Sequence, residues 1–556
     1  MKHLAYLIIC VFSLIILFQE CANPGRPTGG PKDTIPPILI SSNPMSGTIN
    51  FKESTIELEF SEYINSSKLK QELIITPKSD LKYKAVAKRN KLVIKFEDEL
   101  LDSTTYYFNF ANGVTDITES NPAVNLAIAF STGNYIDSMS VDGKVEELLT
   151  QEPGAGYVIS LFPYTDTLDY FTDTPLYFTT ANDSGRYSLN YLKIGQYKVI
   201  GFNDDNGNFL LDPETESHGF IEQVLQLDSP TSIRPIRSIL QNIKPLTLIN
   251  VRPTGRYVEI KFNKHIQGYE FVEDSVSSNI IGENKDIIRL YKPEDYQYGD
   301  SIQNIIYAFD SLGNEVNDTI KYVFLESNRK PSGFSFGVPS STPLENELQI
   351  PISFNKPIER SYLDSIYFRA DSIYTYFPIS SIDWNQNSTR ATLNLTTDTD
   401  SLYSGLEQAI PPDTAQVDST VAVSRPQRPI ELLINKNSFV SVDGDSSRTK
   451  KIPIRALTEY PYGTLKLSIQ TDLTSFVIQL VDKAGAVKYE KWNEKQFTFP
   501  RVRPESYQIR ILIDTDNDGE WSYGNLLDNQ EPEEIYLYPE EISIRENWEV
   551  LLDISL

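Results

Sequence analysis

Two stretches of this sequence put oxygen-bearing side chains at alternate positions of a short loop. One reads Asp514-Thr515-Asp516-Asn517-Asp518-Gly519-Glu520-Trp521, the other Asp204-Asp205-Asn206-Gly207-Asn208-Phe209-Leu210-Leu211-Asp212. Oxygens at positions one, three and five, a glycine at six and a backbone carbonyl at seven wrap a hard cation, because alternate residues turn inward around a tight bend. The later loop supplies Asp514, Asp516, Asp518 and Gly519 in that order, with Glu520 at position seven and Asn525 where a bidentate glutamate would close the ring. The earlier loop has Asp204 followed by Asn206 and Asn208, with Asp212 at position nine, so its lower charge predicts a weaker site. Ca2+ is the cofactor this pattern predicts. The alternative is a pair of Asx-rich hairpin turns without metal, since Asp and Asn form such turns readily.

Other chemistry has little to work with. The 556 residues contain three His, at 3, 218 and 265, and two Cys, at 10 and 21, which excludes His/Cys zinc sites, Cys/His nucleophile pairs and disulfide frameworks. No Gly-x-Ser-x-Gly elbow, His-Glu-x-x-His pair or phosphate-binding glycine loop occurs. His265 follows a strand-like run at a place taken by Tyr63 and Pro357 in two parallel stretches, which predicts a surface turn. Trp384, Trp492, Trp521 and Trp548 read either as core and turn packing or as a sugar-stacking platform. A carboxylate-pair hydrolase is the catalytic alternative, but abundance of acids is no signal, and the expectation is that the protein is not an enzyme. With 50 Lys+Arg against 76 Asp+Glu, the net charge of −26 repels phosphate backbones and excludes nucleic acid as a partner.

These residues must be positioned by strands. Period-two runs recur between Asn-Gly, Asp-Ser-Gly, Leu-Gly-Asn and Pro-rich turns, and the 32 Tyr and 27 Phe favour sheet, so the class is all-β. The run Ile56-Glu57-Leu58-Glu59-Phe60-Ser61-Glu62-Tyr63-Ile64 returns at 258–266 and again at 350–358. Phe60, Phe262 and Phe354 should face sandwich cores, and Ile64, Ile266 and Ile358 should close the following turns. A second repeat needs no gap: Tyr187, Leu189, Leu192, Tyr197, Val199 and Asp204 align with Phe497, Phe499, Val502, Tyr507, Ile509 and Asp514.

The first repeat, with its opening Asp33-Thr34-Ile35-Pro36-Pro37, resembles the bacterial Ig-like domain of surface-layer proteins and Bacteroidota lipoproteins. The second, through Asp183-Ser184-Gly185-Arg186-Tyr187-Ser188-Leu189 and Gly195-Gln196-Tyr197-Lys198-Val199, is similar to the transthyretin-like, carboxypeptidase-regulatory sandwich. The resemblance implies a tandem array of Ig-like and transthyretin-like β-sandwich domains. Ig-like domains are expected at 34–134, 236–328 and 329–458, the last with an insertion at 404–428, and transthyretin-like domains at 135–235 and 459–556.

At the amino terminus, Met1-Lys2-His3 and the apolar run 4–18 have the length and charge order of a secretory signal, taken as residues 1–20. Cys10 leaves with it, whereas Cys21 heads a polar Gly/Pro tether ending at Asp33. That placement resembles the lipobox of bacterial lipoproteins and implies Cys21 as the lipidated residue, with an ordinary signal peptide and a stray Cys as the alternative. The opening Cys-Ala-Asn to Gly-Gly-Pro-Lys-Asp-Thr resembles that of Bacteroidota outer-membrane lipoproteins. It implies a cell-envelope protein anchored in the outer membrane by lipid, on its periplasmic or its surface face. The implied role is binding or scaffolding of another envelope protein, in one variant a subunit of an outer-membrane β-barrel assembly or transport complex. Capture of a glycan or other surface ligand is the second reading. Repeated Asp-Ser/Thr-apolar triplets, such as Asp137-Ser138-Met139 and Asp318-Thr319-Ile320, resemble O-glycan acceptors and read equally as turn-to-strand transitions.

Overall fold

Alternation decides the strands. In Thr55–Phe60 the side chains of Ile56, Leu58 and Phe60 are buried while Glu57 faces water, as period two requires of a strand with one face on a core. Val258, Ile260 and Phe262 repeat the pattern in Tyr257–Phe262, and Ile350, Ile352 and Phe354 repeat it in Glu347–Phe354. Ile64, Ile266 and Ile358 are buried at the turns that follow. The computed structural model describes residues 32–556 apart from 80, 256, 273–278, 282–284, 293–295, 327–332, 339–341, 344–346, 371–372, 375–380, 386–387, 397–429 and 456–461. The expected signal peptide, Cys21 with most of its tether, and the insertion at 404–428 lie outside the described residues.

The chain is all-β, a tandem array of β-sandwiches. Helix among the described residues is confined to Leu69–Glu72 and the 3-10 turn Leu363–Ser365, and no described helix is long and apolar enough to cross a membrane. Packing divides the molecule into two units. The first holds the described residues up to Glu147, with Gln151–Asp212 and Glu216–Ser238; the second holds Leu148–Thr150, Pro213–Thr215 and Ile239–Leu556.

The first unit contains two sandwiches. In one, the sheet Leu39–Asn43, Thr55–Phe60, Lys91–Phe96, Tyr83–Lys88 covers the sheet Ile74–Thr76, Thr105–Asn109, Ala127–Ser131, with Phe60, Phe108 and Phe130 in the core between them. In the other, Met139–Glu147 is flanked by antiparallel Arg186–Leu192 and by Thr231–Ser232, which runs parallel to it. Its facing sheet is Tyr177–Thr180, Val158–Pro163, Gly195–Phe202, His218–Leu227.

The second unit contains three. The last of them repeats the topology just described: Gly463–Gln470 lies between antiparallel Gln496–Val502 and parallel Glu549–Ser555, opposite Val487–Trp492, Phe476–Val481, Ser506–Ile513 and Glu534–Leu537. The tyrosine braces repeat as well. Tyr197 donates to the Lys193 carbonyl at 2.8 Å, and Tyr507 donates to the Arg503 carbonyl at 3.1 Å.

The other two sandwiches of this unit, with cores around Phe262 and Phe354, share a polar device at the end of the core strand. Asn263 accepts the Thr247 N–H and donates to the Pro245 carbonyl, both at 2.9 Å, so it ties the strand to the segment entering the domain. Asn355 does the same with the Ser335 N–H at 2.9 Å and the Gly333 carbonyl at 2.7 Å. The next residue is a buried lysine in each. Lys264 pairs with Asp310, and Lys356 pairs with Asp443 at 2.8 Å and Asp445 at 2.5 Å. Such pairs hold only where both charges find partners, because desolvation of a lone buried ammonium costs several kcal/mol.

Candidate metal centre

The strand Ser506–Ile513 is buried over most of its length and delivers Asp514 to the rim of the last sandwich. Its neighbour Glu534–Leu537 runs antiparallel with Ile513 opposite Glu534, so the register sets Glu533 beside Asp514 at the mouth of the long loop between them. The same register recurs in the second sandwich. Phe202 stands opposite His218 and Asn203 bonds to Ser217, which brings Glu216 against Asp204. Sequence reasoning missed both glutamates. The signal that would have found them is an acid just ahead of the return strand, at a distance set by register and not by loop spacing.

The two loops follow one backbone path. Asn517 and Gly519 have φ of +60° and +95°, and their counterparts Gly207 and Phe209 have +71° and +61°. Glycine is free to take these angles, whereas Phe209 adopts one under strain, with its ring held 4.5 Å from that of Phe178.

Their electrostatics differ. In the earlier loop every carboxylate oxygen of the central pair accepts a backbone N–H. Asp204 Oδ1 takes Gly207 at 2.8 Å and Asn208 at 3.1 Å, Oδ2 takes Phe209 at 2.9 Å, and Glu216 takes Asp205 at 3.1 Å on Oε1 and Asp212 at 2.9 Å on Oε2. Asn206 and Asn208 accept the N–H groups of Asn208 and Leu210, so they act as turn formers. Burial first, then the charges of Asp204 and Asp212, raises the Glu216 carboxyl above its usual range against the pull of those two N–H groups.

In the later loop Asp514, Asp516 and Glu533 each offer a carboxylate oxygen, the three lying within 4.8 Å of one another. Asp514 Oδ2 accepts the Gly519 N–H at 2.9 Å, but Oδ1 is buried and accepts no hydrogen bond. Glu533 Oε1 accepts the Thr515 N–H at 2.6 Å and its hydroxyl at 2.9 Å, and Oε2 accepts only the Ser522 N–H at 2.8 Å. The Ser475 hydroxyl, ahead of the Gly519 and Asn517 N–H groups, holds Asp514 below the usual carboxylate range despite desolvation. Asp516 goes the other way: against the pull of the Asp518 N–H, desolvation and the charges of Asp518 and Glu533 push it up.

The other expected ligands of this loop stand elsewhere. Asp518 is exposed and accepts the Glu520 N–H at 2.8 Å, and Glu520 is exposed too. Asn525 does not close the ring, because its Nδ2 donates to Asp528 at 2.7 Å and its Oδ1 accepts the Leu527 N–H at 3.0 Å in a turn of its own. Glu533, 19 residues after Asp514 by sequence, takes the place that the twelve-residue spacing assigned to Asn525. His265 is exposed, as a surface turn requires. Of the tryptophans, Trp384 stacks 5.6 Å from Phe354 in a core, and Trp492 and Trp548 are exposed.

Comparison with known proteins identifies one segment. Residues 33–132 match the bacterial Ig-like domain family. No curated protein sequence matches the chain. Among solved structures, the chain is similar to domains 1–6 of the surface-layer protein SbsC at 10% identity, over 92% of this chain and 68% of that one, with a TM-score of 0.16. It is similar to BcpA, the major pilin subunit of Bacillus cereus, at 12% identity over 75% and 99% of the two chains, with a TM-score of 0.13. It is also similar to the Bacteroides ovatus mixed-linkage glucan utilisation protein SGBP-B at 10% identity over 73% and 91%, again with a TM-score of 0.13. The segment 33–132 is thus similar to bacterial Ig-like domains, and the sandwiches that follow it are all-β as well.

Proposed function

We propose that this chain is a non-catalytic binding or scaffolding protein of the cell envelope, lipid-anchored at Cys21 in the outer membrane, whose partner is another envelope protein. The observation that carries the reading is the commitment of its buried charges. Lys264, Lys356, Asp116, Glu216 and Asp310 each lock a turn or a domain entrance, and where Lys264 and Asp310 border a cleft of about 670 Å3 they are spent on each other and on the backbone. What remains for recognition is sheet edge and loop. The outer strand Tyr83–Lys88 is one such edge, with Val86 exposed and backbone groups on its open side that an added strand can pair. In one variant, which comes from the lipoprotein resemblance, that partner is an outer-membrane β-barrel assembly or transport complex.

Gentle detergent extraction of the tagged protein from its native membrane, followed by mass spectrometry of what co-purifies at near-equal amounts, tests this. A recurring β-barrel partner supports the scaffold. Recovery of the protein alone transfers the reading to an autonomous ligand-binding lipoprotein, for which a cleft of about 690 Å3 in the first unit is the specific support. Tyr107, Asn109, Asn182, Arg186 and Asn190 line it, a mixture of ring and amide suited to a hydroxyl-rich glycan. Polysaccharide cleavage lost on substituting a single carboxylate would overturn the non-catalytic reading.

A further inference from the structure

The two related loops invite one question: what neutralises the later one? Both bring a loop aspartate against a buried glutamate by the same strand register. In the earlier loop five backbone N–H bonds saturate that pair, and the third position is a neutral amide, Asn206. In the later loop the third position is Asp516, a third negative charge. Asp514 is only 4% exposed, yet its Oδ1 has no donor. A buried carboxylate oxygen without a hydrogen bond is rare in a native fold, and this one belongs to a carboxyl that its other donors keep in the charged form. Three carboxylates, each with an oxygen within 4.8 Å of the others, leave a gap of the size that one cation with oxygen ligands fills.

We propose that Asp514 Oδ1, Asp516 and Glu533 hold a calcium ion, with water completing its shell. An all-oxygen donor set with no nitrogen or sulfur ligand selects a hard cation, and the exposed Asp516 side leaves room for the six to eight oxygens that calcium accepts. Asp518, Glu520 and Asn525 are not ligands, and the earlier loop is its metal-free counterpart, closed by backbone amides.

Calorimetric titration of CaCl2 into the chelator-treated full-length protein in detergent tests the assignment, with Trp521 fluorescence as a second readout. Saturable binding is expected in the range of extracellular calcium modules, roughly 0.1–1 mM. Asp516→Asn, at an exposed position and with unchanged melting in chelator, should weaken it at least tenfold, and Glu533→Gln should do the same. Asp518→Asn and Asn525→Ala should stay within twofold of the parent, and Asn206→Asp should add no second site. Absence of saturable calcium binding, or binding that Asp516→Asn leaves unchanged, overturns the proposal. Equal loss in Asp518→Asn overturns the ligand set.

Discussion

Glu62 brings its carboxylate within 4.8 Å of that of Asp116 at the strand end where the later sandwiches carry the paired lysines Lys264 and Lys356. The motif Phe-Asn-Lys of those copies is Phe60-Ser61-Glu62 here, and Ser61 keeps the tie to the domain entrance by accepting the Ile38 N–H at 3.0 Å. Asp33 adds a third acid. Burial first, then Asp116 and Asp33, raises the Glu62 carboxyl above its usual range. A raised carboxyl means that the folded state holds its proton more tightly, so the penalty is present at neutral pH and is relieved as pH falls through the raised value.

Glu62→Lys should therefore stabilise the first sandwich. A partly exposed pair gains little, so the expected rise is a few degrees in Tm at pH 7. Calorimetry of the melting transition checks it, and a lower Tm would show that the lysine of the later copies cannot be carried across.

Removing one partner of a buried pair acts in the opposite direction. Lys264 and Asp310 are both nearly inaccessible, and Asp310 also accepts the N–H groups of Leu312 and Asn314, each at 2.9 Å. Asp310→Asn should cost about 3–5 kcal/mol, and Lys264→Met in the same chain should recover part of it. Denaturant titration measures both. Desolvation raises the Asp310 carboxyl, but Lys264, Asn314 and the backbone N–H groups outweigh it and hold the group low. This contribution to stability is present above the unfolded value near 3.9 and is lost as pH falls below it.

His218 gives a separate pH dependence. It is 2% exposed, and burial lowers its pKa although the Glu216 carbonyl lies 3.3 Å from Nδ1. The unfolded chain takes up a proton near pH 6.5 while the folded chain resists, so stability is full above that pH and falls below it. Stability should therefore decline as pH falls below about 6.5, and His218→Gln should flatten that decline in melting curves of the full-length protein.

The tyrosine braces should behave alike. Tyr197→Phe and Tyr507→Phe each leave a backbone carbonyl, of Lys193 or Arg503, without its phenol donor, at a cost of about 1 kcal/mol. Thermal melts of the two variants, and of the double variant, should show additive losses because the braces lie in different units.

What could be read from the sequence was whatever repeats locally. Phe60, Phe262 and Phe354 are recognisable because period two and the turn after each strand lie within nine residues, and the second repeat aligns Tyr197 with Tyr507 without a gap. Asp514 and Asp516 were legible for the same reason. Glu533 was not: it follows Asp514 by 19 residues, whereas Glu216 follows Asp204 by 12, so no fixed spacing links the two. Strand register brings them to the same place, and register becomes visible only once the sheet is assembled. Asn525 failed as a closing ligand because the twelve-residue rule belongs to a loop that enters a helix, and here the loop returns into a strand.

The parallel pairing of Glu549–Ser555 with Gly463–Gln470 has a consequence for biogenesis. Residues some 85 positions apart along the chain must meet before that sheet is complete, as Thr464 does with Glu549. A chain that emerges from its first residue onward therefore holds the apolar face of Gly463–Gln470 uncovered until Glu549–Ser555 has emerged. Until then that face is open to chaperones and proteases, and removing that single strand would leave the sandwich a substrate for both.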